Sequence, residues 1–93
     1  MEGQRARVVL YGHMACPGTA RARTYLALCR LRYIWRGIHD AGVAAEFRAL
    51  GAWATPAIIL DGRLLMVGFD QAALEVALEA GDHRHAGGAG PGS

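Results

Sequence analysis

The sequence predicts an α/β fold with the element order β-α-β-α-β-β-α. An apolar, β-branched run, Val8–Tyr11, leads into a helical stretch that begins at Cys16. Two further apolar runs flank an Asp-Gly pair at Asp61, which is the strongest short-range signal of a β-hairpin. Two other aspartates, Asp40 and Asp70, lie where they can cap the later helices. A crossover followed by a hairpin predicts that the first two strands pair parallel and that the hairpin adds antiparallel strands.

The length and composition predict one globular domain without a strongly charged binding surface. The chain has 93 residues, of which 53% are apolar, and a formal net charge of +2. This excess is too slight to indicate nucleic acid or membrane binding, and no apolar stretch approaches the roughly 20 residues of a membrane span. We expect a cytoplasmic monomer whose domain covers residues 1–81, followed by a flexible Gly/Ala/His tail over residues 82–93.

The first strand and helix are predicted to present Cys16 at a helix start. Val8–Tyr11 is typical of a strand that is covered on both faces. Cys16 would be the N-cap, and Pro17 suits the first helical position because its missing N–H costs nothing there. The helix carries an inward stripe at i, i+4 and i+7, formed by Ala22, Leu26 and Cys29. Aromatic and branched residues predict the second strand over Leu31–Ile38.

The second half of the chain is predicted to hold two capped helices with the hairpin between them. Asp40 caps the second helix and Gly51 ends it. The inward stripe of this helix is Val43, Phe47 and Leu50. The hairpin strands are Ala57–Leu60 and Leu64–Val67. Asp70 caps the third helix and Gly81 ends it. The inward residues of the third helix are Ala73, Leu74, Ala77 and Leu78.

Cys16 has a physical reason to be reactive. The thiolate is the nucleophilic form of cysteine, and the free amides and the dipole of a helix start lower the pKa of a thiol. Thr19 can add a hydrogen bond from its hydroxyl, while His13, Arg21 and Arg23 supply positive charge if they face the cleft. The alternative is that Cys16 is only a small buried apolar residue.

Cys29 is predicted to be a core residue that cannot pair with Cys16. Thirteen residues along one helix separate the two sulfurs by about 20 Å, whereas a disulfide needs Cα atoms within about 7 Å. Thr19 occupies the position where a resolving cysteine would act. A mixed disulfide at Cys16 must therefore be resolved by a thiol from outside the chain.

Four segments together resemble a glutaredoxin-like protein of the thioredoxin fold. They are the run from Tyr11 to Thr19, the spacing from Gly51 to Pro56, the Asp-Gly hairpin at Asp61 and the run from Gly68 to Asp70. The resemblance implies a four-stranded mixed sheet flanked by helices. It also implies a cis peptide bond before Pro56, which would put the Thr55 backbone beside Cys16.

The resemblance also implies a site for a low-molecular-weight thiol such as glutathione. Thr55 and Pro56 would pair with the extended thiol peptide, and Gly68 and Asp70 would hold its γ-glutamyl group at the start of the third helix. Arg48 lies where the family uses a basic residue for the glycine carboxylate, although a solvated arginine on a helix face is the equal alternative. The remaining residues assigned to this site, around the sulfur, are His13, Pro17, Gly18 and Thr19.

This chain departs from the usual pattern of the family in four motifs. His13 replaces a lysine, and Gly18 replaces an aromatic residue. Ala54-Thr55-Pro56 replaces Thr-Val-Pro, and Val67 replaces the first glycine of a Gly-Gly pair. These departures leave the identity of the thiol open.

The predicted function is a monothiol thiol–disulfide oxidoreductase in which Cys16 attacks mixed disulfides of proteins or small molecules. Glutathione or another small thiol would be the co-substrate, and no metal is expected, because no second cysteine cluster exists. One alternative is an arsenate-reductase-like protein in which arginines after Cys16 bind an oxyanion. The other is a redox-inactive thioredoxin-fold binding module, which keeps a peptide-binding groove but catalyses no reaction. In such a module the pKa of the Cys16 thiol would be near 8.5. Trp53, before Pro56, is the tryptophan expected to line the cleft.

Overall fold

The structure, a computed structural model, describes residues 7–87, and the side chains of residues 7–80. Its elements are β1 (Val8–Gly12), α1 (Pro17–Leu28), β2 (Ile34–Gly37), α2 (Ala41–Ala49), β3 (Ala57–Leu60), β4 (Arg63–Val67) and α3 (Gln71–Gly87). The predicted element order is confirmed. Residues 7–69 form one compact unit, and the described residues from 70 onward belong to a second unit.

The four strands form one mixed sheet in the order β2-β1-β3-β4. β1 pairs parallel with β2 and antiparallel with β3, and β3 pairs antiparallel with β4. Asp61 and Gly62 both have positive φ, of 52° and 85°, which is the backbone of the tight turn that an Asp-Gly pair favours. The predicted fold class is therefore confirmed, including the parallel crossover and the hairpin.

The two faces of the sheet are covered differently within residues 7–69. Tyr11 packs with Phe47 of α2, their ring centroids 5.8 Å apart, in a core cluster that also holds Ala52, Ala57 and Ile59. Side chains alternate between the faces of a strand, so Leu10 and Gly12 lie on the opposite face. There α1 buries Thr19, Ala22 and Leu26, and Thr19 lies against Gly12.

Helix α2 begins and ends as its sequence predicts. The Asp40 carboxylate accepts a hydrogen bond from the Val43 N–H at 3.1 Å. At the other end, Gly51 has φ +93°, and its N–H donates to the Arg48 carbonyl, while the Ala52 N–H donates to the Phe47 carbonyl. This pair of hydrogen bonds is a Schellman motif, which needs a left-handed residue at the position of Gly51.

Helix α1 ends earlier than predicted, and Cys29 is not in the core. Cys29 is the C-cap of α1 and is exposed. The same Schellman pattern closes this helix, because Arg30 donates to the Ala27 carbonyl and Leu31 to the Leu26 carbonyl. Arg30 takes the left-handed position with φ +56°, although no glycine marks it. For this reason the prediction of Cys29 as a core residue is wrong, and β2 begins at Ile34 rather than at Leu31.

Helix α3, in the second unit, has the predicted start but not the predicted end. The Asp70 carboxylate accepts from the Ala73 N–H at 3.0 Å. Leu74 is fully buried, whereas Ala73, predicted to face inward, is exposed. The helix continues to Gly87, because one internal glycine costs only about 1 kcal/mol, so the predicted stop at Gly81 is wrong.

The predicted tail over residues 82–93 is therefore helical as far as Gly87. Its last part, residues 88–93, lies outside the described residues, and the domain boundary stays a prediction. Among the described helices, none combines the length and the hydropathy needed to cross a bilayer.

Candidate active site

Cys16 lies at the N-cap of α1, at the end of a short and well-bonded loop. Its backbone is extended, with φ −87° and ψ 120°, and Pro17 takes the first helical position as predicted. The Cys16 N–H donates to the His13 carbonyl at 3.0 Å, and the Ala15 N–H donates to His13 Nδ1 at 3.1 Å. These bonds hold the loop that carries Cys16, whose side chain is half-buried.

The loop before β3 brings a second backbone segment against the sulfur. The peptide bond between Thr55 and Pro56 is cis. Cys16 Sγ lies 3.6 Å from the Thr55 carbonyl oxygen, and Pro56 is fully buried. The Gly68 N–H donates to the Pro56 carbonyl at 2.6 Å. Thus Cys16, Thr55, Pro56 and Gly68, four of the predicted site residues, lie together.

Hydrogen-bond donors around the sulfur lower the pKa of Cys16 to about 7. The largest cause is a hydrogen bond from the Thr19 side chain, followed by the Thr55 side chain and the backbone amides of Thr19 and Gly18. Burial raises the pKa, and the contact in which the thiol donates to the Thr55 carbonyl also favours the protonated form. Each hydrogen-bond donor stabilises the thiolate. Together the donors have a larger effect on the pKa of Cys16 than burial, so the pKa is lowered.

Thr19 is placed to donate to the sulfur by its own environment. Its side chain is 1% exposed, and its Oγ1 accepts a hydrogen bond from the His13 N–H at 3.4 Å. Since the oxygen already accepts from the backbone, the hydroxyl proton is free to point at Cys16. A Cβ on Gly12 would lie 2.6 Å from Thr19 Cγ2, so this glycine makes the room in which Thr19 sits.

Of the two predicted arginines, Arg21 lies close to the first turn of α1. A Cβ on Gly18 would lie 3.7 Å from Arg21 Nη2 and 3.0 Å from Pro56 Cδ. Arg23 is directed elsewhere, because its Nη1 contacts Met14 Sδ at 2.8 Å and its guanidinium lies 4.9 Å from the centroid of Trp35. The sequence could have indicated Arg21, since residues three apart on a helix are neighbours.

Three other residues predicted for the site or its cleft are not among the described contacts of the sulfur. Arg48 is an exposed residue of the last turn of α2. Asp70 caps α3 in the second unit. Trp53, two residues before Thr55, is 79% exposed. Across the described residues, no three His, Cys, Asp or Glu side chains come together as a candidate metal site.

A cluster that the sequence did not predict lies on the α2 face of the sheet. Tyr11 donates its hydroxyl to Glu46 Oε1 at 2.7 Å, and Arg36 binds both oxygens of the same carboxylate, with Nε at 2.8 Å and an Nη at 2.7 Å. These hydrogen bonds lower the pKa of Glu46, and burial raises the pKa of Tyr11. The cluster ties β1, β2 and α2 together behind the strand that leads to Cys16.

The fold is similar to those of several solved thioredoxin-like proteins. A mutant of a thioredoxin-like protein matches with a TM-score of 0.72 and 20% identity, over 78% of this chain and 95% of that one. A glutaredoxin from Archaeoglobus fulgidus matches with a TM-score of 0.65 and 17% identity, over 80% and 86%. Glutaredoxin 1 from Francisella tularensis, complexed with cacodylate, matches with a TM-score of 0.61 and 17% identity, over 81% and 94%.

Comparison of sequences adds nothing to this, because neither the known family profiles nor the curated proteins match the chain. The structural matches have low identity and show the fold alone. The chain therefore has the thioredoxin-like fold that its sequence predicted.

Proposed function

We propose that this protein is a monothiol thiol–disulfide oxidoreductase that uses Cys16 with glutathione or another low-molecular-weight thiol. The single observation that carries the proposal is the lowered pKa of Cys16, about 7, at a helix start that faces a cis-proline loop. At neutral pH about half of the sulfur is then thiolate, whereas an ordinary thiol with a pKa near 8.5 would be only a few per cent ionised.

The proposed reaction consists of two thiol–disulfide exchanges. The Cys16 thiolate attacks the small-thiol sulfur of a mixed disulfide, a new disulfide forms at Cys16, and the partner leaves as a thiolate that takes a proton from water. A second small thiolate then attacks the disulfide at Cys16, releases the oxidised small thiol and regenerates the Cys16 thiolate. The donors of Thr19 and Thr55 that lower the pKa also stabilise Cys16 as the leaving group in this second step.

The monothiol part of the proposal rests on the position of the second cysteine. Cys16 and Cys29 cap opposite ends of α1, which has 12 residues, so about 18 Å of helix axis separates them. Thr19, one turn after Cys16, carries a hydroxyl and cannot form a disulfide. An intramolecular disulfide would require α1 to unfold.

The proposed thiol site begins at the sulfur and follows the adjoining loop. The backbone at Thr55, beside Pro56 and Gly68, is the nearest edge with which an extended thiol peptide can pair. Asp70 and Arg48 are assigned to the site only through the resemblance of the sequence to glutaredoxins, whereas His13 also accepts a hydrogen bond from the Cys16 N–H. The disulfide partners proposed are proteins or small molecules, and the reaction needs neither metal nor nucleic acid. We also propose that the protein is a cytoplasmic monomer.

The two rival functions fit the site less well. A redox-inactive binding module predicts an ordinary thiol pKa, whereas the pKa of Cys16 is lowered. An arsenate-reductase-like site needs arginines that converge on the sulfur, but Arg23 is engaged with Met14 and Trp35.

The deciding experiment is turnover of a glutathionylated peptide by reduced glutathione. We expect activity in the wild type and in Cys29→Ser, and none in Cys16→Ser. Equal activity in Cys16→Ser would refute the proposal, as would loss of activity in Cys29→Ser, because an exposed C-cap residue should have no part in a monothiol reaction. Rapid alkylation of Cys16 without turnover would reassign the site to another thiol or to an oxyanion.

A further inference from the structure

We propose that Arg21 is a specificity residue that selects small thiols and disulfides carrying a carboxylate near the sulfur. This inference rests on the proposed function and names the chemistry of its substrate. Gly18 has no side chain, and the space where its Cβ would lie is bounded by Arg21 Nη2 at 3.7 Å and by Pro56 Cδ at 3.0 Å. A guanidinium nitrogen and the ring of the cis-proline therefore both border the open side of Gly18, two residues after the nucleophile.

Arg21 is available to bind a ligand. It is exposed, and among the described residues it makes no hydrogen bond or ion pair with another side chain. A guanidinium carries five N–H donors in a fork that matches a carboxylate. By contrast, Arg23 is held by Met14 and Trp35, and Arg36 is held by the Glu46 carboxylate.

Arg21 is placed to act on the substrate rather than on the sulfur of Cys16. The main causes of the lowered pKa of Cys16 are hydrogen bonds from Thr19, Thr55 and the first-turn amides, and no charged side chain is among them. A carboxylate on the incoming thiol would meet the guanidinium as its sulfur approaches Cys16 along Pro56. In the exchange itself, the Cys16 thiolate displaces one sulfur of the disulfide and Arg21 keeps its proton throughout.

The test uses two alkylating reagents of nearly the same shape, iodoacetate and iodoacetamide, of which only iodoacetate carries a carboxylate. Rates at Cys16 are measured in a Cys29→Ser background, at a pH where the thiolate is fully formed. The variants are Arg21→Gln and, as the matched control, Arg32→Gln, which removes the same charge from an exposed residue beyond the far end of α1. Circular dichroism checks that each variant is folded.

We expect the rate ratio of iodoacetate to iodoacetamide to fall about two- to five-fold in Arg21→Gln, as for an exposed ion pair. The ratio should be unchanged in Arg32→Gln, and high salt should remove the difference. An unchanged ratio in Arg21→Gln overturns the proposal, and so does an equal fall in both variants. An equal slowing of both reagents also overturns it, because Arg21 would then act on the thiolate.

Turnover of peptide mixed disulfides separates this inference from the proposed function. In the wild type, the disulfide with mercaptoacetate should turn over faster than the disulfide with mercaptoethanol, and Arg21→Gln should remove the preference. A shifted alkylation ratio without any turnover would refute the proposed function alone. Turnover without a shifted ratio would refute the role of Arg21 alone.

Discussion

Replacing Thr19 by valine should make Cys16 a weaker nucleophile at neutral pH. Valine keeps the branched shape that packs on Gly12 but lacks the hydroxyl, which is the largest cause of the lowered pKa of Cys16. A hydrogen bond to a charged group contributes about 1.5–3 kcal/mol, and one pKa unit is about 1.4 kcal/mol. Because Cys16 is only half-buried, the lower end of this range applies.

The expected pKa of Cys16 in Thr19→Val is therefore about 8, one unit above the value of about 7 in the wild type. At pH 7 the thiolate fraction would fall from about half to about a tenth. The assay is the rate of Cys16 alkylation by iodoacetamide against pH in a Cys29→Ser background. The midpoint of this profile reports the pKa, and its plateau at high pH should change little.

Two further variants make this result decisive. Thr24→Val makes the same chemical change at an exposed position of α1 and should leave the midpoint where it is. Thr19→Ser restores a hydroxyl and should bring the midpoint back to about 7. The reasoning is refuted if Thr19→Val folds but keeps the wild-type midpoint, or if Thr24→Val shifts the midpoint by the same amount.

Three further predictions concern stability. The folded state lowers the pKa of Cys16 from an ordinary value of 9.0 to about 7. It therefore gains stability that is fully present above pH about 9 and is lost as the pH falls through 7. Cys16→Ser should remove this part of the Tm–pH profile, and an unchanged profile would contradict the prediction. Tyr11→Phe should lower the free energy of unfolding in urea by about 1 kcal/mol, with Tyr33→Phe as a control that loses less. Gly12→Ala should destabilise by about 1–3 kcal/mol, since its Cβ would lie 2.6 Å from a buried α1 side chain. Gly42→Ala, in α2, should cost less, since the nearest atom to its Cβ would be the exposed Asp40 Oδ1 at 3.3 Å; equal costs would argue against this packing.

The two Schellman motifs show where prediction of the fold succeeds and fails. Both α1 and α2 end with the same pair of backbone hydrogen bonds. Gly51 marks the end of α2 in the sequence, because glycine adopts positive φ without strain. Arg30 adopts φ +56° at the equivalent position of α1, and nothing in its residue type indicates this. The error in placing Cys29 in the core follows directly from the missed helix end.

The site could be predicted where it depends on neighbours in sequence. Cys16, Pro17 and Thr19 belong to one helix turn, so local rules place the sulfur and its main donor. Contacts between residues that are distant in sequence could not be predicted in this way. The approach of Thr55 was implied only by resemblance, and the ion pair of Arg36 with Glu46 depends on how α2 packs against β2. Charge pattern alone could not foresee this pair.

The different contacts of Arg21 and Arg23 also depend on tertiary structure. Both arginines lie on α1, two residues apart, and only Arg21 follows Gly18 by three residues, on the same side of the helix. The two arginines differ in their contact with Trp35, because the guanidinium of Arg23 lies over the indole, 4.9 Å from its centroid. Arg23 then bridges to the sulfur of Met14, which leaves Arg21 as the cation beside Gly18.

The position of Trp35 rests in turn on two glycines that are paired across β1 and β2. A Cβ on Gly12 would lie 3.0 Å from Trp35 Cζ3, and a Cβ on Gly37 would lie 3.5 Å from Trp35 Nε1. The indole therefore spans both glycines on the face that α1 covers. Gly12 makes room for this indole and also for Thr19. The absence of a side chain at Gly12 thus leaves room both for the hydroxyl donor to Cys16 and for the aromatic ring that Arg23 contacts.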